Sequence, residues 1–127
     1  MSELETRYRG YIACLNAREW DRLGEFVDER ASHNGAAFGL AGYRAMLLAD
    51  VAAIPDLVFT IDLLLVDPPH VAARLHFDCT PVGALFGLPV NGRRVQFSEN
   101  VFYRFEAGKI VEVRSVIDTA AIAAQIA

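Results

Sequence analysis

The sequence predicts an α+β domain whose N-terminal helices pack on one face of a curved antiparallel sheet, with a short C-terminal helix. Apolar residues recur at helical spacing up to residue 54 and then alternate with polar residues as far as residue 118. The turns between the strand-like segments are too short for helical crossovers, so neighbouring strands should be antiparallel. Helices followed by a run of strands are typical of the α+β class.

Helical periodicity accounts for most of the first 55 residues. An amphipathic helix is expected from about Leu4 to Ala17, because one face collects Leu4, Tyr8, Tyr11, Ile12 and Leu15. A short second helix carries a stripe of Trp20, Leu23, Phe26 and Val27. A brief strand through Ser32 and His33 follows. A third helix, which Pro55 ends, spaces its apolar residues at Tyr43, Met46, Leu47, Val51 and Ile54.

Alternation then predicts strands. In the first strand, the side chains at alternate positions should share one face: Leu57, Phe59, Ile61, Leu63 and Leu65. The second separates Val71, Ala73, Leu75, Phe77 and Cys79 from Ala72, Arg74, His76, Asp78 and Thr80. A Gly- and Pro-rich loop, residues 81–92, leads to a long third strand over residues 93–105. Ala107 and Gly108 turn the chain into a last strand that ends at Asp118.

Bulk properties limit the possible partners. A length of 127 residues fits one domain over 1–127, and the apolar fraction of 54% leaves apolar surface for a pocket or a subunit interface. A net charge of -4 predicts that neither nucleic acid nor an anionic membrane is a partner. Two separated cysteines, Cys14 and Cys79, and the absence of an apolar signal core lead us to expect a cytoplasmic location.

Several common chemistries have no motif here. The chain contains no GxGxxG or P-loop and no GxSxG elbow. Its three histidines, His33, His70 and His76, lack the spacing of a zinc site. Neither a metal nor a cofactor is therefore expected.

Two carboxylates stand among apolar residues. Asp118 follows Val116 and Ile117 where the last strand meets the closing helix, and Glu99 has Phe97 and Val101 as its neighbours at two-residue spacing. A carboxylate in such surroundings is costly unless it is paired or used in chemistry, and burial raises its pKa towards neutrality. Both are candidates for proton transfer.

Structural interpretations of the same residues remain open. Asp118 could cap the last helix by accepting from the backbone N–H of Ala120 or Ala121, and its pKa would then be lowered. Glu99 could pair with Arg74 or Arg114 across the sheet. His76 could face solvent on its strand, and His33 could be a loop residue bonded to the backbone.

The sequence resembles the SnoaL-like polyketide cyclase, or ester cyclase, family of the nuclear transport factor 2-like superfamily of cone-shaped α+β domains. The resemblance lies in the segments YIACLNAREW (residues 11–20), HNG (33–35), GY (42–43), AIPDL (53–57), TPVGALFGLPVNG (80–92) and VQFSENVFYRFEAGKIVEVRSVID (95–118). It spans most of the chain in the family's order.

The resemblance implies an intramolecular aldol ring closure, without metal or cofactor, on a small or medium apolar carbonyl compound. Asp118 matches the family's general acid/base. Substrate contacts would come from His33, Asn34, Glu99 and Asn100, with His76 beside them, and an inward-pointing Arg74 or Arg114 would stabilise an oxyanion. Arg114 stands where relatives usually carry Trp, and Asn100 where they often carry a larger or more basic group.

Other functions fit the same carboxylates. A ketosteroid-isomerase-like proton shuttle, an epoxide-hydrolase-like water activator and a non-catalytic small-molecule-binding module all remain open. An apolar cavity containing Asp118 and Glu99 would favour an enzyme or ligand binder, whereas filling by Phe86 and Leu88 would weaken both. The apolar stretches 58–66 and 111–116 lead us to expect a homodimer through the outer sheet face.

Overall fold

Helices cover one face of a five-stranded sheet in the part of the chain that the structure, a computed structural model, describes: residues 2–127. The elements follow in the order α1 (Glu3–Asn16), a 3₁₀ helix (Trp20–Glu25), β1 (Val27–His33), α2 (Gly39–Ala53), β2 (Thr60–Asp67), β3 (His70–Cys79), β4 (Ala84–Leu85), β5 (Leu88–Pro89), β6 (Val95–Glu106), β7 (Lys109–Ile117) and α3 (Thr119–Ile126). The predicted α+β class and its closing helix are confirmed.

The main sheet has the strand order β1-β7-β6-β3-β2. The hairpins β2–β3 and β6–β7 and the pair β3–β6 are antiparallel, as their short turns or loops predict. β1 instead lies parallel to β7, with His33 opposite Val113. These two strands are far apart in the chain, so a parallel arrangement needs no tight turn. The small β4–β5 hairpin lies inside the segment expected to be a loop.

The hydrophobic core lies between the helices and the inner face of the sheet. Tyr8, Tyr11 and Leu15 of α1 and Tyr43 and Leu47 of α2 are buried against it. Helical spacing placed all five on the inner faces of their helices, as expected. Among residues 2–127, no helix combines the length and the apolar character that crossing a bilayer would require.

A bulge in β2 overturns part of the predicted alternation. The pairing of β2 with β3 shifts register between Ile61 and Leu63. Ile61 packs on the core, but Leu63 and Leu65 are 54% and 61% exposed, and Leu64 and Val66 pack inwards in their place. One extra residue reverses the face of every later side chain, because the side-chain period of a strand is two.

The long strand β6 keeps its alternation of inward- and outward-facing side chains from Val95 to Phe105. Val95, Phe97, Val101, Tyr103 and Phe105 are buried, as predicted. The residue between Phe97 and Val101 on the same face is Glu99, which pairs in register with Leu75 of β3 and Ile117 of β7. The fold therefore turns this carboxylate towards the helices.

Candidate functional site

An apolar cavity of about 210 Å³ opens between α1, α2 and the inner face of the sheet. Its walls are mainly aliphatic and aromatic side chains from these elements. The polar groups among them are few, and they include the carboxylates of Glu99 and Asp50, the imidazole of His33 and the hydroxyl of Ser115. A largely apolar hollow with a few convergent polar groups is the usual form of a small-molecule site.

Glu99 is the carboxylate that β6 points into this cavity. Burial raises its pKa to about 7, while a hydrogen bond with the Ser115 side chain lowers the pKa and the charge of Asp50 raises it. The alternative of an ion pair across the sheet is wrong, since Arg74 pairs with Asp62 at 3.6 Å and Arg114 with Glu112 at 3.6 Å. Because its pKa lies near 7, Glu99 can both release and accept a proton at neutral pH.

Asp50 is a second cavity carboxylate, which the sequence analysis missed. It lies on α2, and burial raises its pKa to about 6. A signal was present in the sequence: Tyr43, Leu47, Asp50 and Ile54 follow one another at intervals of four, three and four residues, so Asp50 belongs to the apolar stripe of its helix.

His33 also lines the cavity, where β1 ends. Its ring stacks on Phe38 with centroids 5.6 Å apart and meets Tyr43 edge-on at 6.3 Å. Burial lowers the pKa of His33, so the imidazole is neutral at pH 7 and does not offset the carboxylate charges. None of the cavity-lining residues, all within the described range 2–127, is Lys or Arg.

Two tyrosine hydroxyls meet at the cavity wall. The hydroxyl oxygens of Tyr11 on α1 and Tyr43 on α2 lie 2.6 Å apart, and both rings line the cavity. Burial, the largest cause for both residues, raises their pKa values, so both hydroxyls keep their protons. The predicted core positions of these tyrosines are confirmed, and their hydroxyls belong to the site as well.

Phe86 forms part of the rim of the cavity. It lies between β4 and β5, it is 47% exposed, and its ring meets Phe97 edge-on with centroids 6.3 Å apart. Leu88 packs on the core but does not line the cavity. The loop therefore borders the hollow without filling it.

Asp118 lies outside this cavity. It is exposed at the N-cap of α3, where its carboxylate accepts a hydrogen bond from the backbone N–H of Ala121 at 3.0 Å. This contact is one of the two helix-cap bonds considered from the sequence. The alternation of β7 accounts for this position: Val113, Ser115 and Ile117 line the cavity, so Asp118 falls on the outer side together with Val116.

The other predicted site residues are spread over the outside of the sheet. Arg74 and Asn100, opposite each other on β3 and β6, share a shallow outer groove with Asp118. His76, two residues along β3, and Arg114 on β7 face outwards as well and line neither space. They alternate with inward-facing neighbours, so the pleat excludes them from the cavity.

Asn34 holds the end of β1 against β7. Its side-chain oxygen accepts from the Ser115 N–H at 2.8 Å, its side-chain nitrogen donates to the Ser115 carbonyl, and its own N–H donates to the Val113 carbonyl at 2.8 Å. These bonds position His33 and Ser115 at the cavity. Of the predicted substrate-binding residues, only His33 and Glu99 reach the cavity wall.

Acid/base chemistry is what this arrangement can carry out. The cavity combines two carboxyl groups of raised pKa, a neutral imidazole and tyrosine hydroxyl donors within apolar walls. Within residues 2–127, no three His, Cys, Asp or Glu side chains are grouped as a metal site would require.

Comparisons with known proteins agree with this architecture. A family model of SnoaL-like polyketide cyclases matches residues 5–126. The crystal structure of a SnoaL-like polyketide cyclase from Agrobacterium tumefaciens is 52% identical, with a TM-score of 0.98 and 100% of both chains covered. No curated protein matches the sequence.

More distant structures share the fold alone. TsrD from Streptomyces laurentii is 22% identical with a TM-score of 0.85, over 99% of this chain and 97% of that one. IdmH from Streptomyces antibioticus is 20% identical with a TM-score of 0.84, over 98% of this chain and 99% of that one.

Proposed function

This chain belongs to the SnoaL-like polyketide cyclase family, and we propose that it catalyses cofactor-independent proton transfer on a small apolar carbonyl compound, with Glu99 as general acid/base. The observation that carries the proposal is the position of Glu99: a carboxylate with a pKa of about 7 inside an apolar cavity whose lining, within residues 2–127, contains no Lys or Arg. General acid/base catalysis is most effective when the pKa of the catalytic group lies near the working pH.

The reaction we propose is an intramolecular aldol ring closure. The Glu99 carboxylate removes a proton from the carbon beside a carbonyl group, and the electron pair of the C–H bond moves towards the carbonyl oxygen to give an enolate. The enolate carbon then bonds to a second carbonyl carbon of the same molecule, whose oxygen takes the proton back from Glu99. Apolar walls favour this use of a carboxylate because they destabilise its charged form.

The cavity supports a substrate of one or two rings. An apolar cavity of roughly 150 Å³ holds a benzene molecule, and this one measures about 210 Å³. A longer substrate would have to extend past Phe86, which is partly exposed at the rim. Asp50 adds a second charge to the same space, and that charge helps to keep the pKa of Glu99 high.

The assay does not require the natural substrate. We propose to follow hydrogen–deuterium exchange at the carbon next to the carbonyl of 2-tetralone, a two-ring apolar ketone, by NMR in D₂O. The wild-type protein should accelerate exchange over buffer. Glu99→Gln should lower the enzymatic rate by roughly 10²–10⁴-fold, the usual contribution of a general acid/base.

Asp118→Asn is the matched control, because Asn is as good an N-cap residue as Asp but carries no charge. We expect this variant to exchange at the wild-type rate. A selective loss of exchange in Asp118→Asn, with Glu99→Gln unaffected, would return the acid/base role to Asp118. If the wild-type protein gives no acceleration over buffer, a non-catalytic binding function replaces this proposal.

We also propose that the protein forms a homodimer through the outer face of the sheet. Leu63, Leu65, Phe102 and Val116 are exposed there on neighbouring strands. Of the two stretches expected to form the interface, the second contributes only Val116 as an apolar side chain, because Val111 and Val113 are buried in the core.

A further inference from the structure

The proposed reaction creates a negative charge on the substrate, and the site must contain a group that stabilises this charge. Proton removal by Glu99 places negative charge on the carbonyl oxygen, and an apolar cavity without Lys or Arg among its lining residues offers no cation to stabilise that charge. In such sites, hydrogen-bond donors aimed at the developing charge supply much of the stabilisation. The donors must come from the hydroxyl or imidazole groups of the cavity wall.

The Tyr11–Tyr43 pair has a donor to spare. A tyrosine hydroxyl carries one proton and also accepts hydrogen bonds, so a pair of hydroxyls uses one proton for its mutual bond and keeps the other. Among residues 2–127, neither hydroxyl has an acceptor outside the pair. Whichever tyrosine donates within the pair, the other retains its O–H group, and both residues line the cavity.

The surroundings favour the protonated, donating form of both tyrosines. Each ring is 2% exposed, and after burial the charges that raise the pKa values of Tyr11 and Tyr43 include that of Glu99. A hydroxyl that accepts a hydrogen bond is also the stronger donor, because chains of hydrogen bonds polarise one another.

We propose that the paired hydroxyls of Tyr11 and Tyr43 form an oxyanion-binding site, which donates a hydrogen bond to the carbonyl oxygen of the bound compound. The catalytic consequence rests on the proposed function of Glu99, but the binding of an oxyanion does not. The expected substrates are therefore ketones or esters that can form an enolate. Phenolates of similar size should bind as well, because they carry their negative charge on an oxygen as the enolate does.

The test uses 4-nitrophenol, whose phenolate absorbs visible light and whose neutral form does not. It is carried out in Glu99→Gln protein, where the neutral amide takes the place of a protonated Glu99 and leaves Asp50 as the one carboxylate among the cavity-lining residues of the described chain. At the pH where free 4-nitrophenol is half ionised, binding to this protein should increase the phenolate absorbance. The double variant Tyr11→Phe/Tyr43→Phe, in the same background, should bind the phenolate about ten- to a hundredfold more weakly.

Tyr8→Phe is the matched control. The Tyr8 hydroxyl donates to another tyrosine, Tyr103, at 3.2 Å and is fully buried; Tyr8 does not line the cavity, although Tyr103 does, and Tyr103 keeps its own hydroxyl in this variant. This variant should bind the phenolate as the Glu99→Gln parent does. Single Tyr11→Phe and Tyr43→Phe variants, each checked by thermal unfolding, should give intermediate losses and replace the double variant if it does not fold.

The outcomes separate the two proposals. Equal phenolate binding with and without the Tyr11 and Tyr43 hydroxyls, or an equal loss in Tyr8→Phe, would overturn the oxyanion site and leave the exchange result for Glu99 untouched. Selective loss in the Tyr11 and Tyr43 variants supports the oxyanion site even if Glu99→Gln exchanges 2-tetralone at the wild-type rate, which would refute only the proposed base.

Discussion

At the scale of single residues, the cavity contains one energetically unfavourable feature, the burial of the Glu99 carboxylate. Its carboxylate lies between Phe97 and Val101 on β6 with no cation in the cavity wall of the described chain, and its pKa rises from 4.5 to about 7. A raised carboxyl pKa means that the folded state binds the proton more tightly than the unfolded state does. Ionisation of Glu99 therefore destabilises the folded protein, and the proposed acid/base role requires that ionisation.

This cost predicts a pH-dependent effect on stability. Below pH 4.5 Glu99 is protonated in both states and costs nothing, and as pH rises to about 7 the folded protein progressively loses stability. Glu99→Gln should remove this loss and raise the free energy of unfolding at pH 8 by on the order of 2–4 kcal/mol, at about 1.4 kcal/mol per pKa unit.

Denaturant unfolding between pH 4 and pH 8 would measure the effect. Exposed Glu29→Gln corrects for the loss of one negative charge. A stability difference between wild type and Glu99→Gln that stays flat over this pH range would show that the Glu99 carboxyl is hydrated and not held in an apolar cavity.

At the scale of elements, polar contacts at its two ends attach α3 to β6 and the segment before it, beginning with the Asp118 N–H, which donates to the Ser98 carbonyl at 2.9 Å. Asp118 caps its first turn, and the Gln125 side chain bonds both the N–H and the carbonyl of Gln96 at 2.8 and 2.6 Å. Arg93 donates to the carbonyl of Ile126 at 2.8 Å. These bonds hold the buried Ile122 against the core, so α3 contributes to stability rather than to the cavity.

The capping role of Asp118 predicts a specific pair of results. Asp118→Ala should lower the free energy of unfolding by about 0.5–2 kcal/mol, because the N–H of Ala121 loses its acceptor, whereas Asp118→Asn should change it by only a few tenths. Urea unfolding gives both values, and 2-tetralone exchange should stay at the wild-type rate in both variants. Equal stability of the Ala and Asn variants would argue against the cap.

At the scale of the whole molecule, the outer face of the sheet exposes apolar side chains on three of its strands: Leu63 and Leu65 on β2, Phe102 on β6 and Val116 on β7. Register places Leu65, Ala72, Phe102 and Arg114 in one row and Leu63, Arg74, Asn100 and Val116 in the next. Phe102 is 63% exposed near the centre of these rows. A two-fold axis through such a face would bring each apolar patch against its own copy, as an isologous interface requires.

The dimer proposal predicts the behaviour of one substitution. Wild-type protein should have the mass of two chains in light scattering, and Phe102→Asp should shift it to one chain, because an unpaired charge at the centre of an apolar interface is costly. Leu48→Asp is the control, since Leu48 is an exposed apolar residue on α2 rather than on the sheet. A wild-type protein that is monomeric at high concentration would rule out the interface.

Local periodicity was enough to predict the helices and the long strands, but not the β4–β5 hairpin. The spacing of Tyr11 and Tyr43 on their helices and the alternation around Glu99 follow from backbone geometry alone, which any sequence with these patterns must obey. These features, and the family resemblance, could therefore be stated from the sequence.

The tertiary structure determined the features that local periodicity cannot predict. The bulge after Ile61 reversed Leu63 and Leu65, and only the packing of α2 over the sheet brought Asp50 to the same cavity as Glu99. A carboxylate's neighbours along the chain say which face it occupies, but whether that face borders a hollow, the core or solvent depends on elements distant in sequence. For this reason the inward direction of Glu99 was predictable, and the composition of its site was not.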